Sequence, residues 1–188
     1  MNTKRKVLYS AVFSVASFAA AAAIASTFNG YAINAFADPI ANLTLPLIIL
    51  SVGIQVINDK YGPALIAVIS ALLYTIFYLP FLTVSLLVVG AIVELVTRKT
   101  GYRSISSVTL YTTIAGTGEG ILSTYLAYFM VKVPVPMPPL FDWVVFSIIM
   151  VVESILMGII SYKVGSYLVK TGIVKEERTP QEGKVTHH

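Results

Sequence analysis

The 188-residue chain has no cysteine, which excludes a disulfide framework, a thiolate metal site and a cysteine nucleophile. Its two histidines, His187 and His188, are the last two residues, so imidazole chemistry is absent from the body of the chain. Charge is scarce as well. Asp, Glu, Lys and Arg make up 12% of the residues, about half the ~25% of an average globular domain. The scarcity is concentrated in three uncharged runs: Val7 to Ala37 (31 residues), Pro39 to Asn58 (20) and Tyr61 to Val93 (33). A ~30 Å hydrocarbon layer takes about 20 mainly apolar residues, so these runs alone hold at least three spans and place the chain in a cell membrane as a multi-pass protein. Catalytic motifs are missing too. There is no glycine-rich phosphate loop ending in Lys-Ser/Thr, no HExxH pair, no GxSxG elbow and no Cys/His cluster. The chain therefore reads as a non-enzyme with no catalytic residue, no metal site and no cofactor of its own.

What is present is an all-α pattern of six apolar segments, cut by proline, glycine and polar clusters. The first helix runs from about Lys6 to Phe28 and the second from about Ile40 to Ile57. After the turn Asn58 to Pro63, a third covers about Ala64 to Leu79, and Pro80 separates it from a fourth ending near Thr97. The fifth runs from about Ser104 to Val131. Lys132 to Pro139, with Pro134, Pro136, Pro138 and Pro139, is stiff and extended. The sixth helix runs from near Phe141 to near Lys170. The organisation is a six-helix transmembrane domain, 1–170, and a short polar cytoplasmic tail, 171–188.

Cytoplasmic loops carry the excess of Lys and Arg. Counted on alternate sides, twelve of the thirteen basic residues fall on one side and only Lys132 on the other. Both termini are therefore expected in the cytoplasm, which requires an even number of spans. The net charge of +4 then reports orientation and calls for no nucleic-acid partner. A competing reading of the first segment is a signal peptide with a small-residue site at Ala23-Ile24-Ala25, but its uncharged stretch far exceeds the 7–15 residues of a signal core.

Three acids, Glu94, Glu119 and Glu153, fall inside these spans. An ionisable side chain at depth costs roughly 2.5 kcal/mol or more and normally faces the bundle interior or a cavity. Glu119 lies 12 residues before the outer end of the fifth helix and Glu153 lies 12 after the outer start of the sixth, each about 18 Å deep. The pair is read as a ligand or ion site, with mutual hydrogen bonding as the competing explanation. Glu94, close to Arg98 and Lys99, competes as an interfacial charge partner. Gly116 and Gly120 flank Glu119 and permit either close helix packing or a local break. The outer ends carry Tyr31, Asn34 and Phe36, then Tyr125 and Tyr128, then Trp143, the sole tryptophan. Aromatic residues here form an interfacial belt or, above the carboxylates, the faces of a site for a flat cationic or amino-bearing ligand. Asn42-Leu43-Thr44 matches a glycosylation sequon but opens a span. In the first helix Ser10, Ser14, Ser17, Ala21 and Ala25 make a small-residue stripe, with Ala16 and Ala20 beside it, a pattern that serves internal packing or a partner helix.

The stretch NDKYGPALIAVISALLYTIFYLPFLTVSLLVVGAIVELVTRKTGYRS, with its Tyr-Gly-Pro entry to a helix, its inter-helix proline, and Gly90 and Glu94 before a basic turn, resembles the substrate-binding S-component of energy-coupling factor (ECF) vitamin transporters. Within that family it is most similar to members assigned to thiamine or its hydroxymethylpyrimidine precursor. The resemblance implies a subunit that captures a vitamin from outside and docks on a membrane-embedded coupling subunit carrying cytoplasmic ATPases, so that ATP is used by the partners. The family's AxxxA docking motif maps onto Ala16 and Ala20, although Ala19 with Ala23 and Ala21 with Ala25 share the spacing. The implied ligand site lies in the outer half, and the substrate-binding candidates are Glu119, Glu153, Trp143, Tyr125, Tyr128 and Asn34. A different class of function remains open: a small secondary carrier or proton-linked channel using the intramembrane glutamates.

Overall fold

The structure is a computed structural model in which residues 1–28, 30, 34–131 and 135–172 are described. Tyr31, Lys132, Pro134 and the tail from residue 173 onward, including both histidines, lie outside the described residues. Among the described residues the chain is all-helical, with six helices and no strand: α1 (Thr3–Thr27), α2 (Ala37–Ile57), α3 (Gly62–Ile76), α4 (Pro80–Thr100), α5 (Ile105–Met130) and α6 (Leu140–Lys170). Four of them, α1, α2, α4 and α6, are long and apolar enough to cross a membrane. The apolar α3 is short, and α5 is long but rich in Ser, Thr and Gly.

Local chemistry sets the helix ends. Asn2 caps α1, its side chain accepting from the Lys4 amide at 3.2 Å, so the helix begins three residues earlier than the apolar pattern indicates. Pro39 sits in the first turn of α2, where its missing N–H costs nothing, so that helix starts at Ala37 rather than Ile40. α3 stops at Ile76, three residues short of the expected Leu79. Tyr78 adopts φ +57°, and Leu79, which precedes Pro80, leaves the helical region.

The helices form a closed ring in the order α1, α3, α4, α5, α6, α2, and α2 also reaches across to α3 and α5. Around an apolar core of Ile54, Ile57, Ile66, Val89, Val93, Val108 and Tyr111, parts of the packing are inverted relative to a water-soluble bundle. In α1 the buried residues are Ser10, Ser14 and Ser17, while Leu8, Val12 and Val15 are exposed. In α6 Ser154, Gly158, Ser161 and Gly165 are buried, and Ile148, Val152 and Leu156 are exposed. Small inward residues permit close approach and long aliphatic ones lie on the outside, the pattern expected where the hydrophobic effect does not drive helix association. At Gly158 a Cβ would stand 2.8 Å from the Thr109 backbone, and at Gly116 it would meet Ser154. α5 runs unbroken through Gly116 and Gly120, so these glycines serve packing and make no break.

The basic ends are tied together. Lys6 Nζ reaches Asp59 at 2.8 Å and donates to the Lys60 carbonyl at 2.8 Å, and the Met1 amino group also meets Asp59 at 3.2 Å. Glu94, 5% exposed, accepts from the Tyr61 and Ala64 amides at 2.8 and 3.3 Å and from Arg98 Nε at 2.7 Å. It thereby caps the start of α3, which has no side-chain cap of its own. The guanidinium of Arg98 lies 4.5 Å over the Tyr61 ring. Glu94 is thus the charge partner that its neighbours indicated, and its acceptor capacity is used in holding two helices.

Candidate functional site

Opposed contacts fix the level of the two remaining glutamates. Gly116 faces Ser154 and Gly120 faces Met150 across the antiparallel α5/α6 pair, so Glu153 is level with residue 117 and Glu119 lies about two residues, ~3 Å, further along α5. They do not hydrogen-bond to each other. Glu119 turns inward, 5% exposed, and accepts from Ser85 Oγ of α4 at 2.6 Å, while its Oε2 is buried without a partner. Glu153 is half-buried at the α2/α6 seam, where Thr44 Oγ1 donates to it.

Two adjoining cavities open on the side that Glu119 faces. The larger, about 650 Å³, lies between α1, α2, α5 and the α3–α4 turn, with Phe18, Tyr74, Phe77 and Phe81 as aromatic walls and Asp38, Asn42, Ser123 and Thr124 as polar ones. Beneath it a narrower chamber of about 90 Å³ contains Glu119, Ser70 and Ser17 in its lining and shares Phe18, Leu43, Tyr74 and Leu82 with the larger one. The opening follows from helix length. Ser85 is five residues into α4 and Glu119 is 11 from the end of α5. Measured from their shared contact, the α3–α4 turn therefore ends roughly 9 Å short of α5. The short α3/α4 hairpin leaves a bay walled by its longer neighbours. Neither cavity has a Lys, Arg or His among its described lining residues, while Asp38 and Glu119 are both there. Such a space is chemically suited to a flat molecule that donates hydrogen bonds or carries positive charge.

Of the six substrate-binding candidates, Glu119 lines these cavities. Trp143 and Tyr125 come together, ring centroids 6.2 Å apart, in a cluster with Phe36 and Phe146, where Phe36 stacks on Phe146 at 4.3 Å. That cluster stands at the α2/α6 side, bordering a separate groove of about 590 Å³ lined by Asn34, Phe36, Phe141, Asp142 and Phe146. Asn34 spends its side-chain oxygen on the Phe36 and Ala37 amides at 2.9 and 2.8 Å, ordering the entry to α2. The Tyr128 hydroxyl donates to the Pro136 carbonyl at 3.2 Å. Glu153 lies one helical turn beyond Ile149, the last α6 residue in the lining of that groove. On α1, Ala16 is exposed and Ala20 half-buried.

The residues that sequence reasoning passed over are Phe18, Ser70, Tyr74 and Ser85. Ser70 and Ser85 are the single polar residues in the runs Ala64–Leu73 and Val84–Val89, which was the available signal. Comparison with protein-family models, with curated proteins and with solved structures finds no match to this chain.

Proposed function

We propose that this protein is a membrane-embedded substrate-capture subunit, the S-component of an ECF-type importer, taking up a small vitamin of the thiamine or hydroxymethylpyrimidine kind. The observation that carries the reading is the bay between α1, α2, α5 and the α3–α4 turn, with aromatic walls and the buried Glu119 at its floor. In this reading all six helices span the bilayer, both termini are cytoplasmic, and the bay opens outward, as the one-sided distribution of Lys and Arg supports. Glu119 accepts hydrogen bonds from an amino group or offsets a cation, and the edge-packed Phe18 and Tyr74 rings form one aromatic wall beside the ligand. The chain itself uses no ATP; partner ATPases supply the energy through a coupling subunit that docks on α1 near Ala16 and Ala20. Thiamine titrated calorimetrically into the protein in nanodiscs should bind, and Glu119→Gln should bind it at least roughly 10-fold more weakly, the value of one charge-assisted hydrogen bond. Unchanged tight binding by the variant would remove Glu119 from the site.

The narrow chamber extends past Glu119 to Ile54 and Pro63, toward the opposite end of the bundle. This favours, as a second reading, a small carrier or proton-linked channel. Uptake by the chain alone into liposomes under a pH gradient, with no ATPase present, would establish it in place of the first.

A further inference from the structure

Some buried hydroxyls in this bundle return to the backbone of their own helix, as Thr97 does to Val93 and Thr124 to Gly120, whereas those of Ser10, Ser154 and Ser161 have no partner. Ser70 on α3 has none either. The carbonyl it would use, that of Ile66, already takes the Ser70 amide within the helix and accepts the Ser14 hydroxyl of α1 at 3.1 Å. Ser14 thus competes for the acceptor that Ser70 would use. The Ser70 hydroxyl, on a residue 3% exposed, is buried without a partner and lines the 90 Å³ chamber.

Glu119 arrives at the same chamber in the same condition. Ser85 occupies Oε1, and Oε2 is buried and unpartnered. A buried polar atom left without a hydrogen bond costs about 1–3 kcal/mol, and such atoms in a native structure call for an explanation. Here two of them line one cavity, from different helices, together with the Phe18 and Tyr74 rings, which pack edge to face with centroids 5.1 Å apart.

We infer that Ser70 is a specificity-determining residue: with Glu119 it forms a donor–acceptor pair that takes the edge of a planar nitrogen heterocycle, an N–H of the ligand donating to Glu119 Oε2 and a ring nitrogen accepting from Ser70 Oγ. The inference rests on the reading that the bay holds the captured ligand. It adds what the deepest part of that ligand must present: a donor and an acceptor on one flat edge, as in an amino-substituted pyrimidine. Waters held by the few polar groups of this mainly apolar chamber are the alternative occupants.

The test uses three small probes on the full chain in nanodiscs, with affinities read by saturation-transfer NMR. 4-Aminopyrimidine presents both groups, pyrimidine lacks the N–H donor and aniline lacks the ring acceptor. The expected order places 4-aminopyrimidine roughly 5-fold or more ahead of each of the others, one neutral hydrogen bond apiece. Ser70→Ala should reduce 4-aminopyrimidine to the level of aniline and leave aniline unchanged. Equal binding of the three probes, or an unaltered 4-aminopyrimidine affinity in Ser70→Ala, would overturn the assignment and leave the chamber to water. Thiamine measured alongside separates the two layers. Thiamine binding with undifferentiated fragments sinks this inference alone, ordered fragments without thiamine binding sink only the vitamin reading, and binding of neither sinks both.

Discussion

Glu94 and Glu119 are equally buried carboxylates on adjacent helices, yet their surroundings assign them different work. Glu94 receives two backbone amides and a guanidinium, while Glu119 receives one hydroxyl. A carboxylate offers about four acceptor positions, so the first is nearly saturated and the second keeps capacity in reserve. Glu94→Ala should therefore lower unfolding stability by about 2–3 kcal/mol, the cost of stranding buried donors, read from denaturant titration in micelles. Glu119→Gln should leave stability unchanged or raise it, because the amide retains a partner in Ser85 and no longer brings an ionisable group into the interior. Equal losses in the two variants would contradict this division. Glu119 was legible in the sequence because an acid at depth demands a reason. Ser70 and Ser85 were not, since a lone serine in an apolar run serves packing equally well. That the Ile66 carbonyl is engaged by Ser14, a contact 52 residues apart in the chain, and that Ser70 is left without a partner, are visible only in the fold. Tyr125, six residues beyond Glu119, is turned about 240° around α5 and lies outside the lining of the bay.

At the scale of elements, the number of helices and most of their limits could be read from apolar runs broken by Pro, Gly and charge. Their lateral order could not, because a small-residue face does not name its neighbour. The α5/α6 seam depends on such faces. Gly158→Ile should push α6 from the Thr109 backbone and cost about 1–3 kcal/mol or more, measurable in the same titration. The attachment of α1 to the α2–α3 turn depends on charge. Partial burial raises the Asp59 carboxyl, but hydrogen bonds and attraction from Lys6 and the Met1 amino group outweigh it and hold the group below its ordinary 3.8. The folded value is depressed, so this clamp is fully present above pH 3.8 and is lost as pH falls through the lower folded value. Amide exchange at the start of α1 should accelerate across that window, and in Asp59→Asn it should be fast at every pH.

For the whole molecule, the scarcity of charge led to the membrane and the absence of cysteine supplies the means of testing it. Single cysteines at Lys99 and Met137, on opposite ends of the bundle, should label from opposite sides of intact vesicles with an impermeant maleimide. Labelling from one side would contradict the six-span topology. The bay itself was beyond sequence reasoning, because it arises from α3 and α4 turning back before α5 ends, a difference in length between elements distant in the chain. The central claim is that the ligand occupies this bay rather than the aromatic groove beside Trp143. The most direct measurement is ligand protection of two single cysteines, one at Ala21 in the lining of the bay and one at Val145 in the lining of the groove. Thiamine should slow modification of Ala21→Cys and leave Val145→Cys unaffected; protection at Val145→Cys alone would place the site in the groove and contradict the account.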